Sequence, residues 1–433
     1  MLQMMLKTVN ALFVILFSYQ LFYVFVSLLA PKRKETERQY LHRIAVLICA
    51  RNEEAVIGDL LECLSAQTYP EEYYKVFVMA DNCTDHTAET AAAKGAAVYH
   101  RHNDKFIGKG YALEELLRNI RQDYGSYDAY LIFDADNLIR QDYLEQMNRM
   151  LCQGARIVTG YRAGKNYDAN WLSAGSSLWF MRECQYLNRA RDLLGLSCAV
   201  SGTGFLFRSD VLKEWHYHVL TEDLEFNADQ IASGETIRYC EDAVLYDEQP
   251  VDLQQSCRQR LRWSRGILQI VRNHTPALLK GIAKGSFSCF DYLCTLAGAY
   301  VLSMVSLLLQ GVLLVMTAMS GSGLVQCLSA IAVSIAQAYL CFYIMGLLTT
   351  ITEWKRIDAG GFQKLLYTFT FPLFMATYLP VACAALFVRV KWMPIRHTAA
   401  VRNAVKSGFI PAWVEMTVKP ADIVDEMNQT TSE

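Results

Sequence analysis

A chain of 433 residues with 41 Lys and Arg against 43 Asp and Glu has no charge excess with which to hold a polyanion, so no nucleic-acid partner is expected. Its thirteen cysteines are scattered without a C-x-x-C pair or zinc spacing, which argues against a disulfide framework and for reduced, buried thiols in a cytosolic compartment. Mean hydropathy is positive but uneven: charged residues fill 31–281, and long apolar runs occupy the two ends.

The first run, "ALFVILFSYQLFYVFVSLLA" (11–30), is uncharged and long enough to cross a bilayer. It lacks a basic leader and a small-residue cleavage site, so it is expected to be a retained anchor. "PKRKETER" (31–38) follows at once, and Lys and Arg mark the cytoplasmic end of a span. The N-terminus is therefore expected outside, and the large polar region inside.

From Arg43 to about Gly281, apolar runs alternate with segments of helical spacing. "IAVLICA" (44–50), "KVFVMA" (75–80), "AAVYHR" (96–101) and "AYLIFDAD" (129–136) read as strands, with helices between them. Such an alternation predicts an α/β domain with a parallel sheet and right-handed crossovers, in which ligands bind beyond the carboxyl ends of the strands. Polar clusters stand at those ends: "RNEE", "DNCTD", "NDKFIGKG" and "DAD".

Asp134 and Asp136 are two apart, so on extended backbone both carboxylates face one point, where a hard divalent cation would balance them. The bland alternative is a strand end followed by an Asx turn with Asn137. Asp81 at the second strand end can accept hydrogen bonds from a base or ribose, with Thr84 expected to cap the following helix. Lys109, between two glycines before a helix, suits a phosphate, though a plain glycine turn explains "GKG" about as well.

"LTEDLEFNADQIASG" (220–234) reads as a helix capped by Thr221 and ended by Gly234. Glu222 and Asp223 suit a helix N-terminus on dipole grounds alone, and the same dipole would hold Asp223 ionised as a general base. In "QQSCRQRLRWSRGILQIV" (254–271), Gln259, Arg262 and Trp263 share one helix face. Arg262 can neutralise a leaving diphosphate and Trp263 can carry a sugar ring, unless the pair only marks an interfacial helix. Two further spans are expected near 292–317 and 324–351, separated by "SGSG", with "EWKR" (353–356) on the inner side. Pro372 and Pro380 break up 364–388, which is therefore expected to be bent or re-entrant and to leave Trp392, Pro394 and His397 of "KWMPIRH" near the active site.

The ordered set "ADNCTD", "GKG", "DAD", "SGTGF", "TED" and "QRLRW" resembles the membrane-embedded family-2 glycosyltransferases, such as the cellulose, hyaluronan and poly-N-acetylglucosamine synthases. The resemblance covers roughly 40–275 closely and the flanking spans in outline. It implies a GT-A (Rossmann-like) catalytic domain with a mostly parallel sheet, flanked by transmembrane helices. By that resemblance Arg51, Asn52, Glu53, Asp81, Lys109, Gln259 and Arg262 would bind a UDP-sugar donor. Asp134 and Asp136 would serve Mg2+ or Mn2+ on its diphosphate. Asp223 would be the base, while Glu222, Gly202, Thr203, Gly204 and Trp263 would line the path of a growing glycan acceptor. The expected divisions are an anchor and linker (1–40), a cytosolic catalytic domain (41–250), interfacial helices (251–285), a channel region in the lipid bilayer (286–400) and a cytosolic tail (401–433). The whole is expected to be a multi-pass protein of the plasma membrane.

The implied reaction is inverting elongation of a β-linked polysaccharide, with UDP-glucose as the first candidate donor and movement of the product across the membrane. Transfer of one sugar to a membrane lipid is the nearest alternative, and a non-catalytic nucleotide-sugar-binding membrane protein is a more distant one. The chain departs from the resemblance in having one anchor before the catalytic domain and no gating segment like that of cellulose synthase.

Overall fold

The structure is a computed structural model that describes residues 2–31, 40–320, 324–390 and His397. The basic linker at 32–39, Trp392, Pro394 and the tail lie outside the described residues. The apolar runs form strands β1 (Ile44–Ala50), β2 (Tyr74–Asp81), β3 (Ala97–Arg101) and β4 (Ala129–Asp134), followed by β5 (Leu138–Ile139), β6 (Ile157–Gly164), β7 (Phe205–Arg208) and β8 (Ile237–Asp247). They make one sheet in the order β3-β2-β1-β4-β7-β6-β8-β5.

The mostly parallel, Rossmann-like GT-A sheet expected from the early alternation is not what forms. The sheet is mixed. β7 runs antiparallel to both β4 and β6, and β5 runs antiparallel to β8, so three of the seven neighbouring pairings are antiparallel. The physical reason is connectivity. A parallel neighbour needs a crossover element, and β1, β2, β3 and β4 have one between each consecutive pair. β5 instead follows β4 through a three-residue turn, and β7 enters from the Ser201–Gly204 loop after a helical excursion, pointing the opposite way.

One helix, α1 (Leu2–Leu29), precedes the sheet; α2 (Ile57–Ser65), α3 (Thr87–Ala93), α4 (Lys109–Tyr124) and α5 (Tyr143–Cys152) lie between strands. α6 (Trp171–Arg182) passes through a π-helical turn, Glu183–Asn188, into α7 (Arg189–Leu193), and α8 (Glu222–Ala232) precedes β8. Buried side chains pack on both sheet faces: Leu47, Phe77 and Ile132 with Leu113 and Leu116 of α4, and Val46, Ile48 and Phe133 with Leu60 of α2 and Met147 of α5. Truncating a buried leucine such as Leu116 to alanine should cost about 2–5 kcal/mol.

After the sheet come α9 (Leu253–Ala283), α10 (Phe287–Leu293), α11 (Ala299–Ser320), α12 (Leu324–Thr352), α13 (Gly361–Ala376) and α14 (Tyr378–Phe387). Among the described residues four helical segments, 7–29, 287–319, 328–352 and 361–387, are long and apolar enough to cross a membrane. The first is tied to the rest of the fold by a buried carboxylate. Asp291 of α10 accepts from Tyr19 (2.8 Å) and Tyr23 (3.0 Å) of α1 and pairs with Arg191 of α7 (2.7 Å). The end of α12 rests on the sheet, with Glu353 accepting from the Tyr161 hydroxyl (2.6 Å) and the Arg356 guanidinium 4.2 Å from that ring's centre.

The last segment divides at Thr377 into α13 and α14, three residues before Pro380, while α13 runs on through Pro372. Broken helix at membrane depth needs protein around it. Buried Arg260 of α9 supplies that, donating to the Thr377 hydroxyl between the rings of Phe374 and Tyr378.

Candidate active site

Register brings the strand ends together: Cys49 lies beside Asp134, Ala50 beside Ala80, and Asp81 beside Arg101. Beyond β1 the chain turns through Asn52 with φ 58°, and beyond β2 through Asn82 with φ 53°, a left-handed conformation that Asn tolerates. The Asn52 side-chain oxygen accepts the Thr84 N–H (2.8 Å). Thr84 does not cap α3, as was expected of it; Asp85 accepts from Thr87 N–H (3.1 Å) and hydroxyl (2.6 Å) instead. Asp81 is buried and accepts from Arg101 (2.6 Å) and Asn82 (3.1 Å); burial raises its pKa against the pull of Arg101.

His397 reaches this corner from beyond the last helix. Its Nδ1 lies 2.9 Å from Glu53 Oε2 and its Nε2 3.9 Å from Asp136 Oδ2. Burial opposes the imidazolium, but the Asp136 charge and the Glu53 bond carry its pKa up to about 10.

β4 ends at Asp134, and Asp136 sits in the turn that follows rather than on the strand. The Asn137 N–H donates to the Asp134 carbonyl (3.3 Å), and its side-chain oxygen accepts the Asp134 N–H (3.2 Å). The strand end is thus followed by a four-residue turn closed by Asn137, in place of an Asx turn proper. A third carboxylate, Asp247 at the end of β8, completes a set whose oxygens lie within 4.8 Å of one another.

Sequence reasoning missed Asp247, although "VLYD" carries the same signature as "LIFD": an apolar strand ending in an acid. Hard oxygen donors this close suit Mg2+ or Mn2+. Asp136 fits as a ligand, because its side chain accepts one hydrogen bond among the described residues, from the Glu248 N–H (3.1 Å). Asp247 is more committed, holding Arg162, Asn137 (2.9 Å) and Gln249 (2.7 Å). Burial, opposed by Arg162, pushes the Asp247 carboxyl up to about 6.

Lys109, at the start of α4, bonds Asp134 and donates to the Gly202 carbonyl (2.8 Å). It therefore ties the acidic cluster to the "SGTGF" loop. Gly202 has φ +85°, and a Cβ there would lie 3.4 Å from Asp223 Oδ2. Thr203 accepts the Asp134 N–H (2.9 Å), and Tyr143 donates to the Gly204 carbonyl (2.8 Å).

Glu222 and Asp223 open α8. Thr221 stands at the cap position, but its hydroxyl bonds nothing among the described residues, contrary to its expected role. Burial and the Asp223 charge push the Glu222 carboxyl up to about 7, and burial also raises Asp223. Against them lies α9, which approaches closely because Gly266 has no side chain; a Cβ there would lie 2.1 Å from Thr221 Oγ1. On α9 the Arg262 guanidinium acts on both carboxylates, and Trp263 meets Phe180 of α6 edge-on, with ring centres 6.0 Å apart.

Residues 42–266 match the family model described as "Glycosyltransferase like family 2". The chain belongs to that family. Among curated proteins it is similar to the probable glycosyltransferase YdaM of Bacillus subtilis (23% identity, 56% of this chain and 59% of that protein). It is also similar to the beta-monoglucosyldiacylglycerol synthase of Nostoc (25% identity, 63% and 59%), and to the poly-beta-1,6-N-acetyl-D-glucosamine synthase of Staphylococcus aureus (25% identity, 54% and 57%). The chain thus spans under three fifths of these relatives' length. Among solved structures, the mannosyltransferase PcManGT of Pyrobaculum calidifontis, determined with GDP-Man and Mn2+, shares the fold (TM-score 0.56, 16% identity, 88% of this chain and 99% of that one).

In this family-2 glycosyltransferase the residues expected to touch the donor fall into two groups. Asp81, Asn52, Glu53 and Lys109 already hold Arg101, Thr84, His397 and Asp134 respectively. Gln259 and Arg262, also expected at the donor, lie on α9 together with Trp263, which was expected at the acceptor.

Proposed function

We propose that this protein is a membrane-integrated, inverting glycosyltransferase that moves the sugar of a UDP-sugar, UDP-glucose being the first candidate, onto an acceptor hydroxyl and so elongates a β-linked glycan. The observation that carries this reading is the Lys109–Gly202 bridge. One lysine holds the donor-side Asp134 and the loop that abuts Asp223, so a leaving group and an attacking hydroxyl would meet across a single turn of chain.

Asp223 takes the proton of the acceptor hydroxyl; its raised pKa suits a base that must hold a proton briefly. The hydroxyl oxygen attacks the anomeric carbon from the face opposite the diphosphate. Lys109 and Arg262 place positive charge where the diphosphate departs. Trp263 offers the acceptor ring a flat apolar face. A divalent cation held by Asp134 and Asp136 would add Lewis-acid neutralisation of the leaving diphosphate. We place the catalytic region on the cytosolic side, where the basic flanks of the spans would lie.

Transfer of one sugar to a lipid hydroxyl is the second reading. The glucosyldiacylglycerol and polymer synthases resemble this chain at the same 25% identity. The test is incubation of the purified protein with a panel of UDP-sugars and a divalent cation, following UDP release and product size. Long products support elongation and a single-sugar glycolipid the second reading. Absence of UDP release from every donor would overturn both.

A further inference from the structure

Two asparagines from different elements grip adjacent residues just before the "SGTGF" loop. Asn227 of α8 accepts the Val200 N–H and donates to the Val200 carbonyl, both at 2.9 Å. Asn188, the last residue of the π-helical turn, does the same to Ala199, with both bonds at 3.1 Å. Both asparagines are buried. Each side-chain amide thus spends its oxygen and its nitrogen on the backbone of one residue, in a stretch between α7 and β7 that has no helix or strand. Buried backbone groups outside a ladder need such partners. That need accounts for the amides, but not for where they stand.

Their placement sets a register. Asn227 and Asp223 are four residues apart on α8, so they share a face and lie about 6 Å apart along the axis. Val200 and Gly202 are two residues apart, and two residues of chain reach at most about 7 Å. The two spacings match. With Asn227 fastened to Val200, Asp223 comes opposite Gly202, where a Cβ would lie 3.4 Å from its Oδ2. The Gly202 carbonyl accepts from Lys109 (2.8 Å) and the Ser201 carbonyl from Arg162 (2.7 Å). Those cations tie the loop to Asp134 and Asp247, and Asn227 ties it to α8.

We infer that Asn227 is a positioning residue for Asp223: its amide sets the register of α8 against residues 199–202 and so holds the Asp223 carboxylate at the loop, while Asn188 holds the same stretch from the π-helical turn. This rests on the reading of Asp223 as the base given above. Asn227 has no exposed surface, so it acts through Asp223 and not on a substrate. Its loss lets α8 shift along the loop, and a displacement of about 1 Å at a catalytic group costs roughly a hundredfold in rate.

The experiment uses the full chain in phosphatidylcholine nanodiscs with Mn2+ and the UDP-sugar that gives the fastest UDP release, and UDP affinity is measured separately by calorimetry. Asn227→Ala should lower turnover about a hundredfold with UDP affinity within about twofold. In Asp223→Asn protein, itself about a thousandfold slower, the same substitution should change the residual rate by less than about threefold, because the group it positions is gone. Asn227→Ser keeps a hydroxyl for Val200 and should recover part of the loss; where alanine does not fold, the serine variant in the two backgrounds decides. Wild-type turnover in the Asn227 variant, a parallel loss of UDP affinity, or an equal loss in the Asp223→Asn background would overturn the inference. Full turnover of Asp223→Asn alone would instead strike the reading of Asp223 as the base.

Discussion

The groups proposed to meet the donor and those proposed to meet the acceptor treat charge in opposite ways. On the donor side each acid has a protein cation beside it: Asp81 has Arg101, Asp134 has Lys109, Glu53 has His397 and Asp247 has Arg162. On the proposed acceptor side Glu222 and Asp223 have no ion-pair partner within 4.0 Å among the described residues, and both have raised pKa values. A pocket of paired charges is organised to exchange partners with an ionic ligand and its counter-ion at little reorganisation cost. Unpaired acids at least partly withdrawn from water suit neutral hydroxyls and the taking of a proton. The contrast separates binding from proton transfer, and substitutions on the two sides should fail in different ways.

The largest effect is expected on the donor side. Asp136→Asn should reduce transfer by roughly ten thousandfold, because the leaving diphosphate loses its charge compensation. The same loss should follow chelation of wild type with EDTA, and full turnover in EDTA would remove the metal from this account. Asp223→Asn comes next, with a loss of about a thousandfold in turnover, within the usual range for a missing general base. UDP-sugar affinity, measured by calorimetry, should remain within twofold. If affinity collapses as well, Asp223 is part of the donor pocket and the division between the two sides is wrong. Trp263→Ala should weaken elongation by roughly tenfold to a hundredfold, on the scale of a lost aromatic platform. Hydrolysis of the donor by water should change little, and an equal loss in both assays would make Trp263 a packing residue.

How much of this was legible in the sequence follows the same division. The donor-side strand ends could be read because each is a local event: an apolar run stops and acids begin, as in "LIFDAD". Their convergence follows from the parallel pairing of β1 with β2 and β4, the part of the mixed sheet in which crossover helices do separate the strands. What could not be read depends on contacts far apart in the chain. β7 slots between β4 and β6 in the reverse direction, Asp247 meets Asn137 across 110 residues, and His397 reaches Glu53 across 344. No local period encodes such pairings.

Local rules also failed where two partners competed. Thr84 donates to Asn52 and leaves Asp85 to bond the start of α3, while Thr221 packs against Gly266 instead of capping α8. The acceptor side was visible as "TED" and "QRLRW", but the isolation of its carboxylates was not, since that is a property of the fold around them.

That isolation sets the smallest of the expected effects, on stability. In the unfolded chain Glu222 ionises near its ordinary value of 4.5, whereas in the folded protein burial and the Asp223 charge move it up to about 7. Below pH 4.5 both states carry the proton, and above 7 both have released it. Between them the folded state keeps a proton that the unfolded state has lost, so raising the pH through this window lowers stability. Glu222→Gln cannot ionise and should flatten that slope. Asp247, raised to about 6, adds a slope of the same sign in both proteins, so the quantity to compare is the difference between wild type and variant. The thermal midpoint of detergent-solubilised protein, measured at pH 5 and at pH 7.5, should fall by a few degrees more in wild type than in Glu222→Gln, on the order expected for a few kcal/mol in a domain of this size. Equal slopes would mean that Glu222 ionises in the folded protein as easily as in water. The acceptor side would then be no more hostile to unpaired charge than the donor side, and the contrast would fail at its most sensitive point.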